Sequence, residues 1–134
     1  MKLSVIIPCY NEVSTILEIV RRVKAINVKD LEIIVVDDAS DDGTKDVLEA
    51  NVKPLIDKII YHEKNRGKGA ALRSGLNQVT GDVIVVQDAD LEYDPRNIPA
   101  MLKLIEDGDA DVVFGSRFMG GNPHRVLYFC HYMG

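Results

Sequence analysis

Val83-Ile84-Val85-Val86-Gln87-Asp88-Ala89-Asp90 is an apolar run, mostly β-branched, that ends in two carboxylates set two apart. Such a run favours a buried strand. In an extended chain, residues i and i+2 point the same way. A strand ending here therefore delivers Asp88 and Asp90 to the rim of a sheet, where both could converge on one hard cation. Mg2+ and Mn2+ take oxygen ligands of this kind, usually alongside substrate phosphates. A solvated turn after a strand has the same composition, so the pair must be read with its surroundings.

The flanking sequence alternates strand and helix signals. Residues 3–9 (LSVIIPC) read as a short buried strand, followed by the polar turn Tyr10-Asn11-Glu12. Ile16, Leu17, Val20, Val23 and Ile26 follow helical spacing and predict a helix over 13–26. A second strand is predicted over 31–36 and ends in Asp37-Asp38; the turn Ser40-Asp41-Asp42-Gly43 leads into a helix over 44–50. A third strand covers 56–61, and a helix follows over 70–79. Gly81 breaks that helix before the opening strand. Pro95 starts a further helix with Ile98, Met101, Leu102 and Ile105 on one face. A fifth short strand is predicted over 112–114. This order predicts an α/β fold, a mostly parallel sheet with helices on both faces. Ligands of such sheets bind beyond the carboxyl ends of the strands. The polar residues gather at that rim: Tyr10 to Glu12, Asp37-Asp38, Arg66 and Lys68, Asp88 and Asp90, then Arg117.

The 134 residues allow one domain at most, 46% hydrophobic and 28% charged, within the range of globular proteins. The formal charge of −5 argues against general nucleic-acid binding, which depends on Lys and Arg neutralising phosphates. Cys9 and Cys130 stand at opposite ends of the chain with no zinc-type spacing. No signal peptide is apparent, which makes the cytoplasm the expected compartment.

Each rim motif has a plain structural alternative. Asp37-Asp38 could hydrogen-bond a nucleobase or ribose, yet Asp41 or Asp42 could equally cap the next helix. The segment Asn65-Arg66-Gly67-Lys68-Gly69 could let the backbone approach a diphosphate, but it lacks the Walker spacing and is also a plausible cationic turn. Arg117 could hold a phosphate by bidentate hydrogen bonds or form a surface ion pair. No Ser/His/Asp set is visible, and His62, His124 and His131 look incidental.

The motifs together resemble family 2 glycosyltransferases with the GT-A fold. The resemblance lies in 5–12 (VIIPCYNE), 35–44 (VVDDASDDGT), 65–70 (NRGKGA), 88–95 (DADLEYDP) and 115–118 (GSRF), and runs from residue 3 to about 118. Within that family the chain is most similar to polyprenyl-phosphate (dolichol-phosphate type) mannosyl- or glucosyltransferases. The resemblance implies a nucleotide-sugar-binding Rossmann-like core over 1–118 and the start of an acceptor-side segment over 119–134. It implies that Pro8, Tyr10, Glu12, Asp37, Lys68, Asp88 and Ala89 bind the nucleotide. Asp88 and Asp90, with Glu92 as a further ligand, would hold Mg2+ or Mn2+. Arg117, assisted by Arg125, would meet the phosphate of a lipid acceptor at a membrane surface. Asp90 and Arg117 would then be the groups nearest the chemistry, a displacement with inversion at the anomeric carbon. A phosphate acceptor is already an anion at neutral pH and needs positioning more than a strong base.

Members of that family are normally longer, and the apolar, aromatic tail over 126–133 has little after it to pack against. It is expected to begin a helix of a longer parent, to pack on a second copy as a homodimer, or to touch the cytoplasmic face of a membrane. A phosphatase of the haloacid-dehalogenase type would carry its Asp-x-Asp on the first strand, and a receiver domain would carry its acidic pair there. A nucleotide-sugar-binding remnant without turnover is the non-enzyme alternative. Nothing in the residues separates GDP-mannose from UDP-glucose as donor.

Overall fold

The computed structural model describes residues 1–91 and 94–108, and the backbone of 131–132. β1 (Leu3–Cys9) is followed by α1 (Ile16–Lys24), β2 (Leu31–Asp37) and α2 (Thr44–Val47). β3 (Lys58–Tyr61), α3 (Lys68–Leu76), β4 (Val83–Val86), α4 (Ile98–Glu106) and β5 (His131–Tyr132) complete the described elements. The expected α/β class is observed. The sheet order is β3-β2-β1-β4-β5. β1, β2, β3 and β4 are parallel, and β5 joins β4 antiparallel, pairing Val83 with Tyr132 and Ile84 with His131.

Alternation along the strands sorts the core into two layers. Leu3, Val5 and Ile7 of β1 face a large cluster with Ile16, Ile19, Val20 and Val23 of α1, Leu48 and Val52, and Ile98, Met101, Leu102 and Ile105 of α4. Ile6 of β1, Ile34 and Val36 of β2 and Ile84 of β4 face the other way, onto Ala71 of α3. α3 lies close to the sheet because its inner face is small: a Cβ built on Gly75 would sit 2.7 Å from Ile6 Cγ2.

Several boundaries differ from the sequence expectation. α1 begins at Ile16 rather than residue 13, because Thr15 and Ile16 both donate their N–H to the Glu12 carbonyl and make a turn first. The helix expected over 44–50 leaves the α-helical ladder at Val47. It continues as a π turn, Leu48–Val52, and a 3-10 turn, Lys53–Leu55, that contains Pro54. Pro54 has no N–H to give an α-helical ladder. β3 begins at Lys58 rather than residue 56, since Asp57 instead closes a hydrogen-bonded exchange with Ile33. α3 spans Lys68–Leu76 rather than 70–79; Gly67 starts it with φ of 91° and ψ of 165°, a conformation that glycine alone adopts readily. The strand expected over 112–114 lies outside the described residues.

The amino ends of the strands are closed by a buried carboxylate. Glu32 accepts from Ser4 Oγ (2.7 Å), Thr80 N–H (2.8 Å) and Thr80 Oγ1 (2.8 Å), while Ser4 Oγ accepts from Gly81 N–H (2.8 Å). Burial pushes the Glu32 carboxyl up, but the hydrogen bonds from Thr80 and Ser4 and the Lys2 ammonium outweigh it and hold it below 4.5.

Two outcomes follow for stability. Gly75→Ala forces α3 away from Ile6 and lowers stability by about 1–3 kcal/mol, measured by urea unfolding. The unfolded chain takes up the Glu32 proton before the folded one does, so the Glu32 contribution is intact above the ordinary carboxylate range and is lost as pH falls below about 4.5. Glu32→Gln should therefore be less stable than the wild type near neutrality, by about 1–3 kcal/mol, with the gap closing as pH falls below the ordinary carboxylate range.

Candidate functional site

Pro8 decides where the site opens. Ile6 accepts a hydrogen bond from Gln87 on the β4 side, whereas Cys9 accepts from Asp38 on the β2 side. Parity then turns the nitrogen of Pro8 toward β4, where it has no hydrogen to give. The β1–β4 register accordingly ends at Ile6 opposite Val86, while the β1–β2 register runs on to Cys9 opposite Asp37. The chain winds from β1 through β2 to β3, then crosses back to β4 on the other side of β1. The parting strands thus lie where the winding reverses, the position at which open α/β sheets bind ligands.

A cleft of about 240 Å³ occupies this position. Pro8 lines it from β1, Tyr10 and Glu12 from the turn after β1, Asp88, Ala89 and Asp90 from the segment after β4, and Lys68 and Ala71 from α3. Seven of the residues singled out in the sequence are thereby brought together. Tyr10 is 46% exposed and presents its ring at the mouth. The Lys68 ammonium crosses to form an ion pair with Oδ1 of Asp88. That pair is half exposed on the lysine side, and solvent limits what it adds to stability.

Asp37 is placed differently. It is fully buried and does not line the cleft; Asp38 does. Asp37 Oδ1 accepts from Ser40 Oγ (2.5 Å) and from Cys9 Sγ (3.6 Å). Burial, and then the Asp37 charge, push the Cys9 thiol far above its usual range, which leaves it unreactive. Ser40 Oγ in turn accepts from Asn11 N–H (2.9 Å), and Asn11 Oδ1 accepts from Asp41 N–H (2.9 Å). This lock joins the turns after β1 and β2 and holds Asn11 and Ala39 at positive φ, 53° and 63°. For Ala39 that conformation is costly, so the surrounding bonds must impose it.

Asp38 ties the opposite wall. Its Oδ1 accepts from His62 Nδ1 and from Arg66 N–H, each at 2.8 Å, and its Oδ2 accepts from Gly67 N–H at 2.8 Å. Burial raises its pKa, but His62 and the two backbone N–H groups win, and the carboxyl stays below 3.8. His62 Nε2 meets Ser74 Oγ of α3 at 2.8 Å. The sequence reading passed over this Asp–His–Ser line, because His62 and Ser74 belong to no spacing motif. One clue was available: His62 directly follows β3 and so shares the rim with Asp37-Asp38. Neither His62 nor Ser74 lines the cleft, and the Asp38 carboxylate is shared with two backbone donors. The line is therefore a tie between elements and not a hydrolytic triad.

No group of three or more acidic, histidine or cysteine side chains that could enclose a metal is found among the described residues. Asp88 and Asp90 at one cleft fit a cation that also takes oxygens from a bound phosphate, the usual manner of Mg2+. Glu92, Arg117 and Arg125 lie outside the described residues. No helix among the described residues is long and apolar enough to cross a membrane.

The Glycosyl transferase family 2 pattern matches residues 4–127. A dolichol-phosphate mannosyltransferase of Pyrococcus furiosus is 38% identical over 122 residues, which is 90% of this chain and 34% of that protein. An undecaprenyl-phosphate 4-deoxy-4-formamido-L-arabinose transferase of Serratia proteamaculans is 37% identical over 112 residues, 80% of this chain and 34% of that one. A mannosyltransferase from Pyrobaculum calidifontis, solved in complex with GDP-Man and Mn2+, superimposes with a TM-score of 0.72 at 31% identity. It is covered over 86% of this chain and 34% of that one. The chain spans about a third of the length of these relatives. The match over 4–127, on a fold with the expected sheet, places the chain in glycosyl transferase family 2.

Proposed function

We propose that this chain forms the donor half of an inverting glycosyltransferase that moves a hexose from a nucleoside-diphosphate sugar to a polyprenyl or dolichyl phosphate. The observation that carries this reading is the cleft at the strand reversal, which gathers four carboxylates (Glu12, Asp38, Asp88 and Asp90), a lysine and an exposed tyrosine around one space. A nucleoside-diphosphate sugar has a flat base, a polyol and a dianionic diphosphate, and these groups match that wall. Tyr10 and Pro8 offer apolar surface to the base, and Glu12 offers an acceptor for hydroxyl groups. Lys68 offers charge to the diphosphate. Asp37 serves from behind by holding the loop after β2.

Asp88 and Asp90 would hold Mg2+ or Mn2+ against the diphosphate, with Glu92 as a candidate third ligand from the sequence. The cation, when bound, neutralises charge that develops on the leaving group. The acceptor phosphate oxygen forms a bond to the anomeric carbon as the bond to the diphosphate oxygen breaks. Lys68 stays with the departing anion and stabilises it electrostatically. Arg117 and Arg125 are assigned to the acceptor phosphate from the family resemblance. The relatives' names, a dolichol-phosphate mannosyltransferase and a mannosyltransferase bound to GDP-Man and Mn2+, support a lipid-phosphate acceptor and incline the donor toward GDP-mannose.

A thermal-melt series with GDP, UDP, GDP-mannose and UDP-glucose, each with and without Mn2+, tests the reading. A ligand at a hundredfold excess over its Kd should raise the melting temperature by roughly 10 °C, only when metal is present. No shift with any of the four would remove the donor site. In Asp90→Ala, the metal-dependent part of the shift should vanish while the metal-free melting temperature stays within a few degrees. Release of nucleoside diphosphate on adding a polyprenyl phosphate would separate a transferase from a domain that only binds nucleotide sugar.

A further inference from the structure

Lys68 is oddly placed for a helix residue. It opens α3, where the helix dipole disfavours a positive charge, and no side chain caps that end. Its position is set from outside the helix. The residues just before it, Arg66 and Gly67, give their N–H groups to Asp38, and Asn65 Nδ2 reaches the Asp38 carbonyl at 3.3 Å. Asp38 holds both N–H groups with its two carboxylate oxygens, and His62 is the side chain hydrogen-bonded to that carboxylate. Nδ1 of His62 faces the carboxylate and acts as a donor there, while Nε2 meets Ser74 Oγ two helical turns into α3. The His62 N–H donates to the Asp37 carbonyl at 2.9 Å, so the ring is anchored to β2 as well. The imidazole, 7% exposed, therefore joins strand, loop and helix around the start of α3.

We propose that His62 is a positioning residue for the nucleotide diphosphate. It holds Asp38 so that Asp38 can hold Arg66 and Gly67, and this aims Lys68 across the cleft toward Asp88. The proposal rests on the reading of the cleft as a nucleotide site. Three donors already meet the Asp38 carboxylate, so its first duty on this reading is structural.

A double-mutant cycle tests it. The Kd of the better-binding nucleotide, GDP or UDP with Mn2+, is measured by calorimetry for the wild type, His62→Phe, Lys68→Met and the double variant. Melting temperatures confirm that each is folded at the assay temperature. Each single variant should weaken binding by roughly tenfold, and the double should be no weaker than the weaker single, because His62 acts through Lys68. His62→Asn, which can replace the Nδ1 donor, should recover most of the affinity. Should His62→Phe fail to fold, Ser74→Ala takes its place in the cycle, with a smaller loss expected and the same non-additivity. Additive losses, or a His62→Phe chain that is less stable but binds as the wild type does, would overturn the role given to His62. A wild type that binds neither nucleotide overturns the functional reading instead, and the proposal with it.

Discussion

The pairing of β1 with β2 on one side and β4 on the other is the constraint on which the rest of this molecule depends. β1 is the central strand of the parallel set, and its alternate side chains feed both core layers. Ile6 serves the α3 face, and Val5 and Ile7 serve the face covered by α1 and α4. The same strand carries Pro8 at the one place where a missing N–H is useful. Pairing with β2 continues past it while pairing with β4 stops. A sheet whose ladders ran on without interruption would leave no room between the strand ends, and the rim carboxylates of β4 would face solvent without a facing wall.

Two buried carboxylates brace the sheet at its opposite ends. Glu32 closes the amino ends by collecting donors from Ser4 and Thr80. Asp38 stands at the carboxyl ends and collects donors from His62, Arg66 and Gly67. Burying either charge alone would be expensive, and several hydrogen bonds offset that cost. Their positions give them different duties. Glu32 is far from the cleft and holds the turn before β4. Asp38 lies in the cleft wall, so its bonds also decide where the loop before α3 stands. Asp37, one residue earlier, turns inward and secures the adjoining loop through Ser40.

Much of the fold could be read from periodicity. Ile16, Val20 and Val23 marked α1, and the β-branched runs marked the first four strands, because a buried face repeats at the period of its element. Helix ends were less legible. The shift to a π turn at Leu48 and the early start of α3 at Gly67 depend on partners distant in sequence: the core around Leu48 and Val52, and the carboxylate of Asp38. The site was legible in part. Asp88, Asp90, Lys68, Tyr10 and Glu12 stood out because strand-end polar residues in alternating strand–helix sequence must share a rim. His62 and Ser74 did not, since a single histidine and a single serine carry no pattern.

By itself the sequence determined the α/β class, the rim on which polar residues gather, and the family, because each of these is written in local periodicity or in contiguous motifs. Only the tertiary structure decided which of Asp37 and Asp38 enters the cleft, where the strands part, and what holds the loop before Lys68. Adjacent aspartates are equivalent in a sequence. They become different when one side chain meets the buried Cys9 and Ser40 and the other meets His62, and those meetings exist only after strands far apart in the chain have paired.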